Sequence, residues 1–376
     1  MLHPQTQAIH IGHFADASRA VMPPIVLSTT FERGEDGLSF PSGYMYSRYD
    51  NPNRHALEEK LKALEGGSEC ITFASGLAAA MAIFQSLGTG SHLILPDDLY
   101  FGVRNILEKL YRTWGLSFTA VDMTNLAEVE QAITSTTKLI WTETPSNPQL
   151  KLTDLAAIAS IAKAHQLLTV CDNTWGTPYF QQPFSMGIDI VHHSTTKYLG
   201  GHSDILGGAL IFKESSDMSE LVRNFQKIGG AVPSPFECWL LNRSLATFYA
   251  RMPIHASNAM QLATYLSQHP KIEKVMYPGL PHNEYYPLAQ KQMKNGFGGM
   301  LSILVKGGQS AALSVASGMK IIRHATSLGG VESLIEHRKS VEGELSKSPE
   351  NLLRVSVGIE HIDDLIADFE QVLAKV

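Results

Sequence analysis

From about Asn51 onward the apolar positions follow a repeating order: short unbroken runs alternate with longer stretches where they recur every three or four residues. Leu57, Leu61 and Leu64 stand at i, i+4 and i+7, Glu58 and Lys62 form an i,i+4 pair, and Gly66 is placed to end that helix. Residues 70–74 predict a strand closing on Ser75-Gly76, and the Ala- and Leu-rich residues 77–87 predict a helix. Further strands are expected at 92–96, 116–121, 138–142, 167–171 and 188–192. Helices are expected at 102–114, around 126–133, and at 154–165, the last with Thr153 as its cap.

Such alternation implies an α/β fold with a mostly parallel sheet covered on both faces. Ligands of open sheets gather at the carboxyl ends of the strands. Three runs end in polar clusters, Ser75-Gly76, Asp172-Asn173 and Ser194-Thr195-Thr196-Lys197, which are therefore expected on one edge. After Tyr249 the pattern changes to a helix at 254–266, a Pro/Gly/His-rich loop at 278–282, strands at 300–305 and 352–357, and the loop Ser327–Gly330 between them. A closing helix stripes Ile362, Leu365, Ile366, Phe369, Val372 and Leu373. This predicts a smaller C-terminal α+β domain. The first fifty residues, with Pro23, Pro24 and Pro41, build no core alone and must pack on the body or reach a neighbouring subunit. The expected division is an arm at 1–49, an α/β domain at 50–248 and the C-terminal domain at 249–376.

Length agrees with two domains: the chain has 376 residues, and single cores stop growing near ~250–300. A net charge of −6 argues against a nucleic-acid face. No apolar run approaches the ~18 residues of a membrane span, and the start has no basic-then-hydrophobic leader pattern. The three cysteines, Cys70, Cys171 and Cys238, form no disulfide framework; packing roles and a reducing cytoplasm are expected.

Candidate chemistry centres on Lys197. A lysine at the end of a buried strand is costly unless paired or covalently used, and desolvation makes its amine a better nucleophile toward an aldehyde. Asp172 ends another apolar run, where a buried carboxylate needs a cationic or donor partner. The pyridinium nitrogen of pyridoxal phosphate is one such partner. Ser75-Gly76-Leu77 opens a helix whose free N–H groups suit a phosphate, with the hydroxyls of Ser194 and Thr196 as further donors. Each feature alone also fits a plainer role: a surface lysine, a turn cap, a helix cap. No G-x-G-x-x-G or Walker pattern occurs, which disfavours a nucleotide-dependent dehydrogenase. His192 and His193 point to opposite faces of a strand and make a poor metal pair, so packing or a supporting role beside the site is expected; no metal is expected. His202 is read as part of the glycine loop, and Tyr285-Tyr286 as core or interface.

Together these residues resemble the Cys/Met-metabolism branch of fold-type-I pyridoxal-phosphate enzymes, the cystathionine synthases and lyases. The likeness runs nearly end to end, through Tyr46-Ser47-Arg48 with Asn51-Pro52, Ala74-Ser75-Gly76-Leu77 and Glu143-Thr144-Pro145-Ser146-Asn147-Pro148. It continues through Asp172-Asn173-Thr174, Ser194-x-Thr196-Lys197-Tyr198, Gly201-His202-Ser203-Asp204, Ser327-Leu328-Gly329-Gly330 and Leu353-Arg354-Val355-Ser356-Val357-Gly358.

The resemblance implies a cofactor Schiff base and proton shuttle at Lys197, with Asp172 on the ring nitrogen. Ser75, Gly76, Leu77, Thr174, Ser194 and Thr196 would complete the cofactor site, and Tyr100 would stack on the ring and assist proton movement. Tyr46 and Arg48 would reach the phosphate of a partner subunit, in a homotetramer built of two dimers. Arg354, helped by Asn147 and Ser327, would bind the substrate carboxylate.

Three reactions share this set: β-elimination of L-cystathionine, γ-elimination, and γ-replacement on an O-acylated homoserine. Synthases and γ-lyases often carry an acid at the positions of Met45 and Thr326, both uncharged here. Trp175 is similar to bacterial β-lyases, though an aromatic residue near Thr326 is lacking, and residues 230–235 lie closer to γ-lyases and synthases. The stretch 337–349 departs from the family's Pro-x-x-Met-Thr-His segment. The expectation is a cystathionine lyase, β-cleavage ahead of γ, with cystathionine γ-synthase or an O-acylhomoserine sulfhydrylase as the alternative.

Overall fold

A five-residue apolar strand leaves its backbone donors and acceptors unpaired until neighbours supply partners, and seven strands do so in one sheet. In the computed structural model, which describes residues 2–343 and 348–376, these are β1 (Glu69–Phe73), β2 (His92–Pro96), β3 (Ser117–Val121), β4 (Thr137–Glu143), β5 (Leu168–Asp172), β6 (Ile190–Ser194) and β7 (Gly208–Phe212). Their order is β1-β7-β6-β5-β4-β2-β3. Strands β3, β2, β4, β5 and β6 run parallel, and β7 lies antiparallel between β6 and β1. The mostly parallel sheet is as expected. Two antiparallel pairings in succession turn β1 the same way as β5 and β6, so the three polar clusters share one edge.

A second sheet takes β8 (Ile272–Met276), β9 (Met300–Val305), β10 (Arg323–His324), β11 (Leu334–His337) and β12 (Leu352–Ser356), in the order β10-β11-β12-β9-β8. All its pairs are antiparallel except β10 with β11. The helix Phe248–Ser267 joins the two cores. Phe248 and Met252 pack with the first sheet's hydrophobic cluster, and Leu262 and Leu266 lie under the second sheet. The closing helix Ile362–Leu373 adds Leu365, Phe369 and Leu373 to that second core.

Several elements differ from the sequence expectation. The long helix starts at Phe248, running through Pro253; burial of Phe248 and Met252 offsets the one backbone bond that proline removes. The helix expected at 102–114 ends at Lys109 and tightens into a 3₁₀ turn, Tyr111–Trp114, where Gly115 takes φ +81°. Strand β7 and the helices Asp217–Gly229 and Pro235–Leu245 follow a glycine-rich loop that hid their pattern. The cap of Leu155–Ala164 is Asp154, whose carboxylate accepts the Ala157 N–H at 3.0 Å. Thr153 is buried and donates its N–H to Thr144 Oγ1 instead.

Asn53 ties the irregular N-terminal segment to the body: its side chain accepts from Val26 N–H and donates to the Pro24 carbonyl. All three cysteines are free and buried, and burial raises each thiol's pKa. Among the described residues no helix is long and apolar enough to cross a membrane. Replacing the observed cap, Asp154→Ala, should cost about 1 kcal/mol and move the urea midpoint down; an unchanged midpoint would assign the cap elsewhere.

Candidate active site

At the carboxyl ends of β1, β5 and β6 the chain turns into a cleft of about 500 Å³. Lys197 enters it from the turn after β6, and its Nζ donates to Ser327 Oγ at 2.8 Å. Burial, with the nearby Arg354 charge adding to it, pulls the amine down to about 8. Ser327 is held at φ +88°, the left-handed region. Next to it Gly329 has φ +76°, and a Cβ there would stand 2.6 Å from the Tyr198 nitrogen. Only glycine fits that approach.

One row of titratable side chains crosses the strand ends in register: Glu143 on β4, Asp172 on β5, His192 on β6. Asp172 Oδ1 accepts the Thr174 N–H at 3.0 Å, and Oδ2 lies 3.0 Å from His192 Nδ1. Burial opposes the charge on Asp172, but His192 and Thr174 outweigh it and hold its pKa below the ordinary value. Glu143 shifts the other way, pushed well up by burial and by Asp172, and it accepts the Tyr100 N–H at 2.7 Å. Tyr100 lines the cleft with its hydroxyl raised by burial.

One end of the cleft is formed by the start of the helix Gly76–Ser86. Ser75 Oγ caps it by accepting the Ala78 N–H at 3.0 Å. Among the described residues the amides of Gly76 and Leu77 meet no acceptor. A Cβ on Gly76 would lie 2.9 Å from that of Ser194, so the close packing requires glycine. Thr174 Oγ1 accepts the Ser194 N–H at 2.9 Å, and Thr196 Oγ1 bonds both ways with Gly207.

The second sheet supplies the opposite wall. Arg354 on β12 stands directly across from Glu336 on β11 and bonds its Oε2 at 2.7 Å. Its remaining contacts are Asn147 Oδ1 at 3.0 Å and the Ser327 carbonyl at 3.1 Å. Burial and the adjacent Arg338 bring the Arg354 guanidinium down to about 10. Arg338 shares Glu336 Oε2 and pairs with Glu342 at 2.7 Å. It lines the cleft with Val341 and Thr326. The atypical segment therefore does contribute pocket wall, through Arg338 and Val341; residues 344–347 lie outside the described residues.

Lys197, Asp172, Ser75, Gly76, Leu77, Tyr100, Thr174, Ser194, Thr196, Asn147, Ser327 and Arg354, all expected from the sequence, are together in this cleft. Tyr46 and Arg48 are not. Arg48 stacks over Tyr49 at 4.8 Å and donates to the Lys227 carbonyl, and Tyr46 is 41% exposed. Sequence reasoning missed Glu143, Glu336 and Arg338 and gave His192 only a minor part. A buried carboxylate inside an apolar strand was the available signal for Glu336, but β11 has four residues, too few for periodicity. His193 points the opposite way, onto Glu65, as the strand alternation requires.

These residues fit pyridoxal phosphate. The two unengaged amides would suit its phosphate, Asp172 retains lone pairs that would suit the ring nitrogen, and a weakly basic lysine faces the same space. The family model described as Cys/Met metabolism PLP-dependent enzyme matches residues 5–374. Cystathionine gamma-synthase of Mycobacterium tuberculosis is 42% identical over 378 residues, covering 98% of this chain and 96% of that protein. Cystathionine beta-lyase of Coxiella burnetii is 42% identical over 381 residues, covering 99% and 98%. The crystal structure of cystathionine gamma-lyase from Lactobacillus plantarum, complexed with L-serine, has a TM-score of 0.94 at 40% identity and covers 99% of both chains.

A lysine with its pKa brought down to about 8 is a neutral nucleophile above that pH and an ammonium below it. The rate at which cofactor-free protein captures pyridoxal phosphate should thus rise between about pH 7 and pH 9, with its midpoint near pH 8, and then level off. Stopped-flow absorbance of the bound cofactor measures it; a rate still climbing toward the ordinary lysine range would contradict the buried amine.

Proposed function

This chain belongs to the Cys/Met-metabolism family of pyridoxal-phosphate-dependent enzymes, and we propose that within it the protein is a carbon–sulfur lyase for L-cystathionine. The favoured reaction is β-elimination, in which cystathionine and water give homocysteine, pyruvate and ammonia; γ-elimination, giving cysteine, 2-oxobutyrate and ammonia, comes second. The shared chemistry rests on the weakly basic Lys197 amine placed against Ser327, whose own carbonyl holds Arg354, and the observation that carries the choice of reaction is the uncharged Thr326 on the cleft wall. A proton acceptor and a carboxylate receptor thereby share one short loop.

Arg354, backed by Asn147, would take the substrate's α-carboxylate through two parallel N–H donors. Glu336 then gives way, and Arg338, which already shares its Oε2, keeps that carboxylate paired. Asp172 would hold the ring nitrogen, Gly76 and Leu77 with Ser75, Ser194 and Thr196 the phosphate end, and Thr174 would brace Asp172 and Ser194. Pyridoxal phosphate, when bound, supplies a sink for the electron pair left at the substrate's α-carbon when its proton departs. Lys197 would accept that proton and return it to the leaving sulfur, with Tyr100 at the cleft wall assisting.

β-Elimination is favoured over γ-elimination and over cystathionine synthesis by the uncharged Thr326 on the cleft wall, where enzymes of those two kinds often carry an acid. The carboxylates lining the cleft among the described residues are Glu143 and Asp172, both deep and already bonded, and Thr326 stands where an acid would serve. The neighbouring Trp175 supports β over γ cleavage by its likeness to bacterial β-lyases. The γ-synthase reading keeps the support of a relative at equal identity.

The site is completed by a second copy in this reading. Tyr46 and Arg48 lie on a segment that also exposes Val21, Leu27 and Leu38, apolar side chains that a lone chain leaves in water. A homotetramer of two dimers, each arm reaching its partner's phosphate end, would cover them. Buried reduced thiols suit the cytoplasm.

Purified holoenzyme given L-cystathionine should release pyruvate ahead of 2-oxobutyrate, separated by chromatography; release of neither keto acid, with O-acylhomoserine consumed instead, would move the assignment to a synthase. For the shared site, Lys197→Ala and Arg48→Ala proteins should each be impaired, yet co-refolded mixtures should recover about a quarter of wild-type turnover, since half the dimers carry one intact site of two. No recovery on mixing would place Arg48 away from the partner's site.

A further inference from the structure

His192 stands at the third place in the row of strand ends, level with Asp172 on the neighbouring strand, and is 3% exposed. Its Nε2 lies 2.8 Å from the carbonyl oxygen of Gly76. Its Nδ1 lies 3.0 Å from Asp172 Oδ2. A carbonyl only accepts, so Nε2 must carry a hydrogen. In a neutral ring Nδ1 would then bring a bare lone pair within 3.0 Å of a carboxylate oxygen that also accepts, with no donor between the two and, among the described residues, no other hydrogen-bond partner for Nδ1. A ring flip does not help, because both partners accept.

We propose that His192 is held as an imidazolium and acts as a positioning residue, strutting the carboxylate that anchors the cofactor's ring nitrogen to the helix start that anchors its phosphate. The inference rests on the proposed placing of the cofactor. The groups facing His192 agree with it. From β4 come the ring of Trp141, at 5.1 Å between centroids, and Glu143, whose pKa burial and Asp172 push well up and whose carboxylate accepts the Tyr100 N–H. From β7 the level residue is the apolar Leu210. Asp172 is thus the charged partner of His192, held low while His192 is raised against its own burial by that same carboxylate.

Two consequences separate this from packing. The distance between the cofactor's two anchors is set by one rigid side chain, so the site is shaped before the cofactor arrives. Asp172 also divides its charge between the imidazolium and the ring nitrogen, so it holds the ring's proton less tightly than an unshared carboxylate would.

The test compares wild type with His192→Gln, which keeps one neutral donor, and His192→Leu, which keeps none. Nitrogen NMR of holoenzyme carrying isotope-labelled histidine, with the His192 signal assigned from its loss in His192→Gln, should show both ring nitrogens protonated and no titration from about pH 6 to pH 9. Equilibrium dialysis should find pyridoxal phosphate bound roughly ten- to a hundredfold more weakly by His192→Leu, with partial rescue in His192→Gln. Thermal unfolding of the cofactor-free proteins accounts for any general loss of stability. A neutral His192 ring at neutral pH, or His192→Leu binding the cofactor like wild type, overturns the proposal. Borohydride trapping keeps the two readings apart. If the phosphopyridoxyl group is on Lys197 in all three proteins and affinity is unchanged, the strut alone fails; if it is not on Lys197, the cofactor placing itself fails.

Discussion

Burying opposite charges at the ends of strands is the constraint around which this molecule is arranged. A lysine, an aspartate, two arginines and a buried glutamate converge within one cleft, and each would be several kcal/mol too costly there without a partner. The fold answers with register. Asp172 meets His192 because β5 and β6 align them, and Arg354 meets Glu336 because β11 and β12 set them directly opposite. Where no opposite charge is paired with it, the group's proton affinity shifts instead. Lys197 gives up basicity and Glu143 gains it, both chiefly through desolvation. These two responses are what a proton-moving site requires.

The division of labour between the two sheets follows from their hydrogen-bonding patterns. Parallel strands with helical crossovers deliver all their carboxyl ends to one edge, which suits a ligand touched from several strands at once. Antiparallel strands place side chains in tight cross-strand pairs, which suits a guanidinium held in fixed orientation. The helix Phe248–Ser267 is buried in both cores, so the wall bearing Arg354 is coupled to the floor bearing Lys197 by continuous apolar packing. A cavity opened in that helix would act on substrate placement without touching the site.

Much of this was legible in the residues because local chemistry and global fold agree there. Apolar runs at 92–96 and 168–172 became strands, and the polar residues following β1, β5 and β6 became the cleft. What stayed hidden depends on strand order or on short elements. His192 looks like a polar intruder in an apolar strand until β6 is known to lie beside β5. Glu336 sits in a four-residue strand, and its meaning comes from Arg354 eighteen residues later. Asp154 in place of Thr153 is a one-residue error of the kind that cap chemistry permits, since both side chains can accept an amide. Tyr46 and Arg48 are different: motif resemblance assigned them to a phosphate, and one chain does not bring them there.

The segment after β11 is where this chain departs from its family, and there the charge arithmetic sharpens the substrate question. Among the described residues Arg338 and Arg354 bring two positive charges, and Glu336 and Glu342 two negative ones, into one buried network. A neutral network exerts little field on the cleft as a whole, so an amino acid entering with one carboxylate must compete with Glu336 rather than fall into a ready positive well. Competition of this sort favours a substrate whose other contacts are extensive, because remote binding offsets the exchange. L-Cystathionine, with a second amino-acid head beyond the sulfur, meets that requirement better than a small thiol amino acid does. The discrimination among elimination and replacement would therefore reside less in Lys197, which serves both, than in how Arg338 and Thr326 line the outer cleft.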